Sequence, residues 1–516
     1  MKSSMALLVR LVVVNSVSMA HFGYDQGVFS GALISADFIR YFPETRKASI
    51  SGITSSCFSL GAFFGCIASF AYGDRIGRKR AIWTGLVLNV VGAVLQISAF
   101  GLAQMIVGRV VNGFGMGITS STCPIFMAES SPSRIRGRLV VLGSVCNTLG
   151  FCLANWINYA LYHGNGPFQW RFPLAFQLVF PLIVAAFLPF VVESPRWLLL
   201  RDRRDDALFA LAKLHGKAED LGDGELKNDL KSISETIEWE RANRAPWSDV
   251  ILLRDPTQNI RRLLLSCGTQ LMQQFSGVNA LGYYLPTLLI QSVGVSKEHA
   301  RLLTAANATL YLGAALLCLL LIDFVGRRKL MLYGSVAMGC CYLIAAVTLK
   351  EASLQPHHKR TLGAVTTSMF FLYYFCYGTS FAKVPWVFNS EVSSPGWRAR
   401  GAAAATATNW MGGFIVVQFT KTGVNNLGWG FYLLFSCFCW SFLPIVYLAY
   451  PETSRRTLED MDEIFKQGTG LFVFNKPLLT QRERPLELID AERRRIEGDP
   501  GRVSGGRGVL EEPVIP

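Results

Sequence analysis

Apolar runs of about 20 residues alternate with short polar intervals along most of the chain, and a helix of that length crosses a bilayer. Arg10 interrupts the first run, but the apolar character continues to Phe29, so the run predicts a membrane helix rather than a cleaved signal peptide. Further runs lie near residues 49–72, 80–100, 103–127, 139–161, 172–192, 263–290, 301–322, 330–349, 361–388, 401–420 and 428–450. The pattern predicts an all-α integral membrane protein with twelve transmembrane helices.

A polar interval separates these runs into two groups of six. We predict four regions: an N-terminal six-helix half over residues 1–192, a central loop with short amphipathic helices over 193–262, a C-terminal six-helix half over 263–450, and a tail over 451–516 that is disordered toward its end. An even number of crossings places both termini on the same side of the membrane.

The charged residues predict the orientation of the chain. The net charge of +14 is spread over short clusters between the apolar runs, such as 78–80 and 327–329, so it indicates membrane loops rather than a nucleic-acid surface. These clusters lie on the side of both termini, which the positive-inside rule makes cytoplasmic. The 12 cysteines and 6 histidines are scattered, so we expect neither a metal nor another cofactor.

The two halves repeat each other in sequence. GDRIGRKR, which begins at Gly73, matches DFVGRRK, which begins at Asp323. Glu129 and Glu391 follow these motifs, and each is succeeded at the same spacing by two arginines, Arg136 and Arg138 or Arg398 and Arg400. A duplicated six-helix unit of this kind is typical of transporters that hold a substrate between their halves.

One apolar run is unusually polar. It carries six hydrogen-bonding residues between Gln273 and Tyr284, and on a straight helix Gln273, Ser276, Asn279 and Tyr283 fall within one arc of about 120°. Uncharged donors and acceptors at membrane depth suit a neutral, hydroxyl-rich ligand in a cavity. The alternative is that the amides bond to neighbouring helices.

Together these features resemble the sugar porter family of the major facilitator superfamily, and most closely its fungal members. The resemblance extends to about Phe465 and rests on FGYDQGVFSG from Phe22, GDRIGRKR from Gly73, GRVVNGFGMG from Gly108, ESPRWL from Glu193, QQFSGVN from Gln273, VPWVFNSE from Val384 and PETSRRTLEDMDEIF from Pro451. It implies a monomeric plasma-membrane transporter, without enzymatic activity, that imports a monosaccharide with a proton by alternating access. A facilitative uniporter and a non-transporting sugar sensor on the same fold remain as alternatives.

The resemblance also implies three sets of site residues. The sugar contacts would be Phe22, Gln273, Gln274, Asn279, Tyr283, Trp386, Asn409 and Trp410. Proton coupling would involve Asp25 and Arg109. A cytoplasmic gate of charged helix ends would comprise Asp74, Arg78, Glu129, Arg136, Glu193, Arg196, Arg327, Glu391 and Arg398.

The charged candidates each have a second interpretation. In proton-coupled sugar porters the position of Asp25 is an aspartate, and in facilitative glucose carriers it is an asparagine. If the separation between Asp25 and Arg109 changes between states, proton uptake is coupled to rocking, whereas a constant separation would make the two a structural pair. The gate residues either form ion pairs when the cytoplasmic side closes or only set the topology.

Three positions depart from the family pattern. Ser144 stands where a glutamine is usual, Tyr311 where an asparagine is common, and Lys383 where a proline is normal, two residues before Pro385. A lysine at that depth is costly unless it is solvated or paired. Lys383 either contacts an anionic group of the substrate, such as the carboxylate of galacturonate, or it snorkels or pairs with an acid elsewhere.

Overall fold

The computed structural model describes residues 2–164, 166–217, 223–242 and 257–466, together with positions 246, 248, 250, 255, 470, 472, 473, 477–481 and 483. Within these residues the regular structure is helical and no strand occurs. The side chain of Asp74 and the chain end from residue 484, for which we predicted disorder, lie outside the described residues.

The first half consists of six long segments. They are α1 (Lys2–Ala32), α2 (Ala48–Ile76), α3 (Arg78–Ile97), α4 (Leu102–Ser130), α5 (Ser133–Ala160) and α6 (Phe168–Phe190), of which α6 is interrupted by a turn at residues 177–178. Three short helices occupy the described part of the central segment, α7 (Pro195–Leu200), α8 (Arg204–His215) and α9 (Gly224–Ala242), as the amphipathic pattern predicted.

The second half also has six long segments, of which two are broken helices. They are α10 (Asn259–Phe275) with α11 (Val278–Leu288), α12 (Lys297–Val325), α13 (Arg327–Leu354), α14 (Lys359–Thr379) with α15 (Val384–Val392), α16 (Arg398–Leu427) and α17 (Gly430–Ala449). The helix α18 (Leu458–Lys466) follows. The prediction of twelve membrane segments in two groups of six is confirmed.

Four of the twelve segments are less apolar than the others. Within the described residues, eight segments are long and apolar enough by themselves to cross a membrane, namely α1, α2, α3, α5, α6, α12, α13 and α17. The remaining four contain the buried polar residues Arg109, Gln273, Lys383 and Asn409. Because such residues are tolerated at membrane depth only where protein or a cavity surrounds them, these four segments indicate where a site lies.

The break between α10 and α11 depends on a glycine. Gly277 has φ +91°, and a Cβ there would lie 2.5 Å from the hydroxyl oxygen of Tyr342. An L-residue would therefore be strained in its backbone and would collide with its neighbour. The sequence pattern predicted one continuous run over 263–290, whereas the structure has two helices that meet at this residue.

The most extensive contacts between the two halves are made by three pairs of helices, α2 with α16, α5 with α12, and α1 with α11. We call the end of the bundle that carries Arg78 and Arg327 the basic end and the other the opposite end. Several hydrogen bonds join the halves toward the opposite end: Arg301 donates to the carbonyl oxygen of Asn158 at 2.9 Å, and Lys421 donates to that of Thr45 at 3.1 Å. The structure thus represents a state in which the opposite end is held together.

Candidate functional site

Neutral amides from two helices meet at the second helix break. Asn409 of α16 donates from Nδ2 to the Oε1 atoms of Gln270 and Gln273, each at 2.7 Å. Gln273 donates from Nε2 to the carbonyl oxygens of Phe381 and Ala382, at 2.7 and 3.3 Å, in the segment between α14 and α15. All three amides are buried. The amides therefore bond to neighbouring groups in this state, and ligand hydroxyls of the same bonding capacity can replace those partners.

Gln274 and Asn279 lie on the two sides of the break at Gly277. Asn279 donates from Nδ2 to Oε1 of Gln274 at 2.5 Å. The glycines of α16 leave room for both amides, since a Cβ at Gly413 would lie 2.9 Å from Asn279 Nδ2 and one at Gly412 would lie 3.1 Å from the Gln274 Cβ. The break thus places these two predicted sugar contacts against the same face of α16.

The break also removes Ser276 from the arc that a straight helix predicts. Its hydroxyl donates to the carbonyl oxygen of Gln273 at 2.6 Å and lies 3.1 Å from the hydroxyl of Tyr373. Tyr283, on α11, is buried beside the Ser59 hydroxyl of the other half and has Asp25 and Arg109 among its electrostatic neighbours. The run that carries the predicted sugar contacts therefore reaches the predicted proton-coupling residues.

Aromatic rings from both halves lie next to the amides. The rings of Phe22 on α1 and Trp410 on α16 have centroids 4.9 Å apart, and Phe58 on α2 lies 5.9 Å from Trp410. Trp410 follows Asn409 directly, so the aromatic contact borders the amide cluster. Trp386 is half-buried on α15. Such rings can cover the C–H faces of a pyranose while the amides bond its hydroxyls.

Asp25 lies in a polar cluster with several unsatisfied atoms. Its Oδ2 is 3.4 Å from His21 Nε2 and accepts a hydrogen bond from Asn112 Nδ2 at 3.4 Å, and Asn112 also donates to Gln177 Oε1 at 3.3 Å. Asp25 Oδ1, His21 Nε2, Asn112 Oδ1 and Gln177 Nε2 are buried without a hydrogen-bond partner among the described residues. Unsatisfied buried polar atoms in one place indicate a site for water or a mobile proton.

Arg109 makes no ion pair with Asp25 in the described structure. Its guanidinium donates to the carbonyl oxygen of Ser55 at 3.0 Å and lies over the ring of Phe29, 3.9 Å from the centroid. Both Asp25 and Arg109 are 2 % exposed. In this state the two residues are electrostatic neighbours and not a contact pair, so their separation is not fixed by a bond between them.

Among the described residues, Lys383 follows neither of the two structural alternatives given above, which are snorkelling to the surface and pairing with an acid. It is 6 % exposed, so it does not snorkel to the surface, and no acid among the described residues lies within ion-pair distance of it. Its Nζ donates instead to the carbonyl oxygen of Ser144 at 2.7 Å and to the Thr148 hydroxyl at 3.2 Å, both on α5 of the other half.

The candidate gate residues form two matching clusters at the basic end. In the first half Arg78 binds Glu129 through both Nε and Nη2 at 3.0 Å, while its backbone N–H donates to Glu193 at 3.2 Å. In the second half the corresponding bonds run from Arg327 to Glu391, at 3.2 and 2.8 Å, and to Glu452, at 2.9 Å. Each of these ion pairs lies within one half.

Three other candidate gate residues are arginines outside these two bidentate pairs. Arg196 pairs with Glu240 of α9 in the central segment. Arg136 is exposed and donates to the carbonyl oxygen of Ser131 at 3.5 Å. Arg398 is the first residue of α16. The structure therefore shows the charged helix ends as two clusters with flanking arginines, and a contact between the halves at this end stays a prediction for another state.

Comparison with known proteins fixes the family. Residues 11–465 match the family model described as sugar (and other) transporter. This chain belongs to that family. It is 41% identical over 492 residues to the MFS-type transporter oryC of Aspergillus oryzae, with 94% of this chain and 90% of the relative covered. It is 32% identical to the sugar transporter STL1 of Saccharomyces cerevisiae, with 89% and 81% covered.

Solved structures show the same fold. The xylose transporter XylE of E. coli, in a partially occluded inward-open conformation, matches with a TM-score of 0.72 at 21% identity, covering 87% of this chain and 99% of XylE. A structure of the proton:xylose symporter XylE with bound 6-bromo-6-deoxy-D-glucose also matches with a TM-score of 0.72. The protein is thus a multi-pass membrane protein of a transporter family with the major facilitator fold.

Several residues of the site in this sugar transporter were missed by the sequence analysis. Asn112 is one helical turn after Arg109, so helical spacing was the available signal for it. Gln270 precedes Gln273 by one turn in the same way. Gln177 and Thr148 carry no local signal, because only the packing of α6 and α5 brings them to the site.

Proposed function

We propose that the protein imports a monosaccharide together with a proton across the plasma membrane by alternating access. The family supports a sugar as the substrate class, and the proton:xylose symporter XylE is a structural neighbour with the same fold. The main evidence for proton coupling is the environment of Asp25. This acid is buried, one of its oxygens lacks a hydrogen-bond partner, and no permanent cation contacts it among the described residues.

Protonation of Asp25 would change the cost of closing the halves. A carboxylate in a dry, apolar interior is expensive, whereas the protonated acid is neutral and can donate a hydrogen bond to His21 or another neighbour. Proton uptake therefore favours states in which the site is shielded from water. A ligand or proton can shift the equilibrium between two states only by its differential affinity for them, and Asp25 supplies that difference for the proton.

Sugar binding reaches the same region through α11. The proposed sugar contacts Gln273, Gln274 and Asn279 lie on the two sides of the break between α10 and α11, and Tyr283 lies about one turn beyond Asn279 on α11, near Asp25. Repositioning of α11 on sugar binding would move Tyr283 against the proton site. The short helix thus supplies the physical link between the two ligands that symport requires.

The basic end is proposed to face the cytoplasm, with both chain termini on that side and with the protein acting as a monomer. The clusters around Arg78 and Arg327 then form the cytoplasmic gate. In each half the bidentate arginine holds two helix ends at a fixed distance, so a half moves as a rigid unit. Closure of the two units would bring the flanking arginines Arg136 and Arg398 toward the opposite cluster.

The experiment compares driven accumulation with exchange. The purified full-length protein is reconstituted in proteoliposomes, and uptake of labelled glucose, galactose and xylose is measured with an inward proton gradient and, separately, as counterflow exchange without a gradient. The wild type is expected to accumulate one of these sugars above equilibrium. Asp25→Asn is expected to abolish accumulation while exchange continues, because exchange needs no net proton transfer.

Asp37→Asn is the matched control. Asp37 belongs to the same half, but it accepts a hydrogen bond from Trp170 Nε1 at 3.1 Å at the opposite end of the bundle. This variant should accumulate sugar as the wild type does. Uptake by the wild type that stops at equilibrium and ignores the gradient would show a uniporter. Failure of the folded wild type to take up or exchange any sugar would contradict transport and favour a sensor.

A further inference from the structure

The three departures from the sugar porter pattern lie together in the structure. Lys383, between α14 and α15, donates to the carbonyl oxygen of Ser144 at 2.7 Å and to the hydroxyl of Thr148 at 3.2 Å. The hydroxyl of Tyr311, on α12, lies beside that of Thr148. Residues that differ from the family pattern at distant points of the sequence thus form one cluster between the halves.

The cluster contains an uncompensated positive charge. Lys383 is 6 % exposed, and in the described part of the chain its hydrogen-bond partners are neutral oxygens, with the thiols of Cys146 and Cys318 as its titratable neighbours. Burial of a charge without a counter-ion costs free energy, and the cost at membrane depth marks a residue as functional by default. An anion brought in by a ligand would neutralise this charge.

The charge borders the proposed sugar site. Gln273 donates to the carbonyl oxygens of the two residues that immediately precede Lys383, and Asn409 binds Gln273. A ligand whose hydroxyls replace the partners of these amides therefore has the lysine next to it along the same segment. The hydroxyls of Thr148 and Tyr311 are both able to donate to an anionic oxygen there.

We propose that Lys383, Ser144, Thr148 and Tyr311 form a carboxylate-binding subsite, so that the transporter prefers a hydroxyl-rich carboxylic acid, such as a uronic acid, to the neutral parent sugar. This inference rests on the proposed function and specifies its substrate class. One lysine matches the single charge of a carboxylate, whereas a phosphate dianion calls for several cations or a bidentate arginine. Ser144 and Thr148 hold the ammonium group in place, and the ammonium group provides the charge-assisted hydrogen bond.

The competing explanation is that Lys383 only straps the two halves together. Lys421 provides the comparison, because it also donates to a backbone carbonyl of the other half, that of Thr45 at 3.1 Å, but at the opposite end. A purely structural contact between the halves would affect the affinity for every substrate equally. A carboxylate subsite would increase the affinity for an acidic substrate only.

The test uses pairs of ligands that differ only at the sixth carbon: galactose with galacturonate, and glucose with glucuronate. Binding to the purified full-length protein is followed by intrinsic tryptophan fluorescence, and uptake is followed in proteoliposomes. We expect at least one uronate to bind about ten-fold more tightly than its neutral parent, as charge-assisted hydrogen bonds do. Lys383→Gln should remove this difference in affinity without changing the affinity for the neutral sugar. Lys383→Arg should retain part of the difference, and Lys421→Gln should retain all of it.

Three results would overturn the subsite. They are equal affinity of the wild type for uronates and neutral parents, an unchanged preference in Lys383→Gln, and an equal loss for both ligand classes in Lys383→Gln and Lys421→Gln. Uptake of neutral sugars without any uronate binding would remove the subsite and leave the proposed function intact. Absence of uptake for both classes would remove the proposed function as well as the subsite.

Discussion

The charges at the basic end and the charges in the middle of the bundle are arranged in opposite ways. At the basic end Arg78 and Arg327 each hold a glutamate through two hydrogen bonds, and the arrangement is the same in both halves. In the middle, Asp25 and Lys383 are almost fully buried, and neither makes an ion pair with a permanently charged residue of the described chain. Paired charges fix the shape of each half, whereas unpaired charges leave room for a proton and an anion.

The duplication of the chain distinguishes the two groups further. The pairs at the basic end occur twice because the sequence motif occurs twice. By the spacing of Glu129 and Glu391, the position in the first half that corresponds to Lys383 is Ser121. The interior charge therefore has no counterpart in the other half, as expected of a residue that serves a single asymmetric ligand.

The largest effect is expected from breaking a pair at the basic end. Arg78→Ala leaves Glu129, whose side chain is 11 % exposed, without its bidentate partner, and the free energy of unfolding should fall by about 3 kcal/mol. Thermal unfolding of the protein in detergent measures this loss. Arg203→Ala is the control, because its pair with Asp206 is more than half exposed and should contribute about 0.5 kcal/mol or less.

A double variant separates pairing from general damage. Arg78→Met combined with Glu129→Gln removes both charges, so it should recover much of the stability that Arg78→Ala loses. If Arg78→Ala were as stable as the wild type, the clusters would not stabilise the halves.

A smaller effect of opposite sign is expected for the interior charges. Asp25→Asn and Lys383→Met each remove a buried charge that lacks a counter-ion, so each should raise the free energy of unfolding by about 1 kcal/mol while impairing function. The same thermal unfolding assay checks this. If Asp25→Asn or Lys383→Met lost as much stability as Arg78→Ala, the interior charges would be structural, and the two regions would not differ in the way described.

The smallest effect is expected from a neutral amide of the site. Gln273→Ala should raise the KM of the transported substrate about five-fold, because a neutral hydrogen bond contributes about 1 kcal/mol. Initial rates of uptake in proteoliposomes measure it. Gln418→Ala is the matched control: Gln418 accepts from Ser56 at 2.8 Å across the halves, away from the amide cluster, and its KM should match the wild type. A raised KM in both variants would mean that Gln273 affects transport through helix packing and not through contact with the substrate.

Much of the fold was predictable, because eight of the twelve described segments are long and apolar enough to be recognised by themselves and the repeated motifs indicate two matching halves. The helix breaks were not, since 263–290 and 361–388 are continuous apolar runs and only the positive φ of Gly277 and the turn before Lys383 divide them. The paired residues of the basic end were suggested by the repeated motif, but the sequence did not indicate that the pairs lie within each half.

The site was predictable in its residue types and less so in its contacts. Gln273 and Asn409 followed from the resemblance, and their bond to each other required the structure. The partner of Lys383 could not be predicted, because Ser144 precedes it by more than 200 residues and contributes only a backbone carbonyl. Spacing along one helix is visible in a sequence, whereas contacts between helices depend on how the segments pack.

The most direct test of the interior charges is the electric current that accompanies uptake. Reconstituted protein on a solid-supported membrane is supplied with galactose and, separately, with galacturonate. A neutral sugar that enters with one proton carries one positive charge, so galactose should give a current, which Asp25→Asn should abolish. Galacturonate that enters with one proton is electrically neutral, so labelled uptake should proceed without a sustained current. Galactose uptake without current in the wild type, or a galacturonate current equal to that of galactose, would contradict the account.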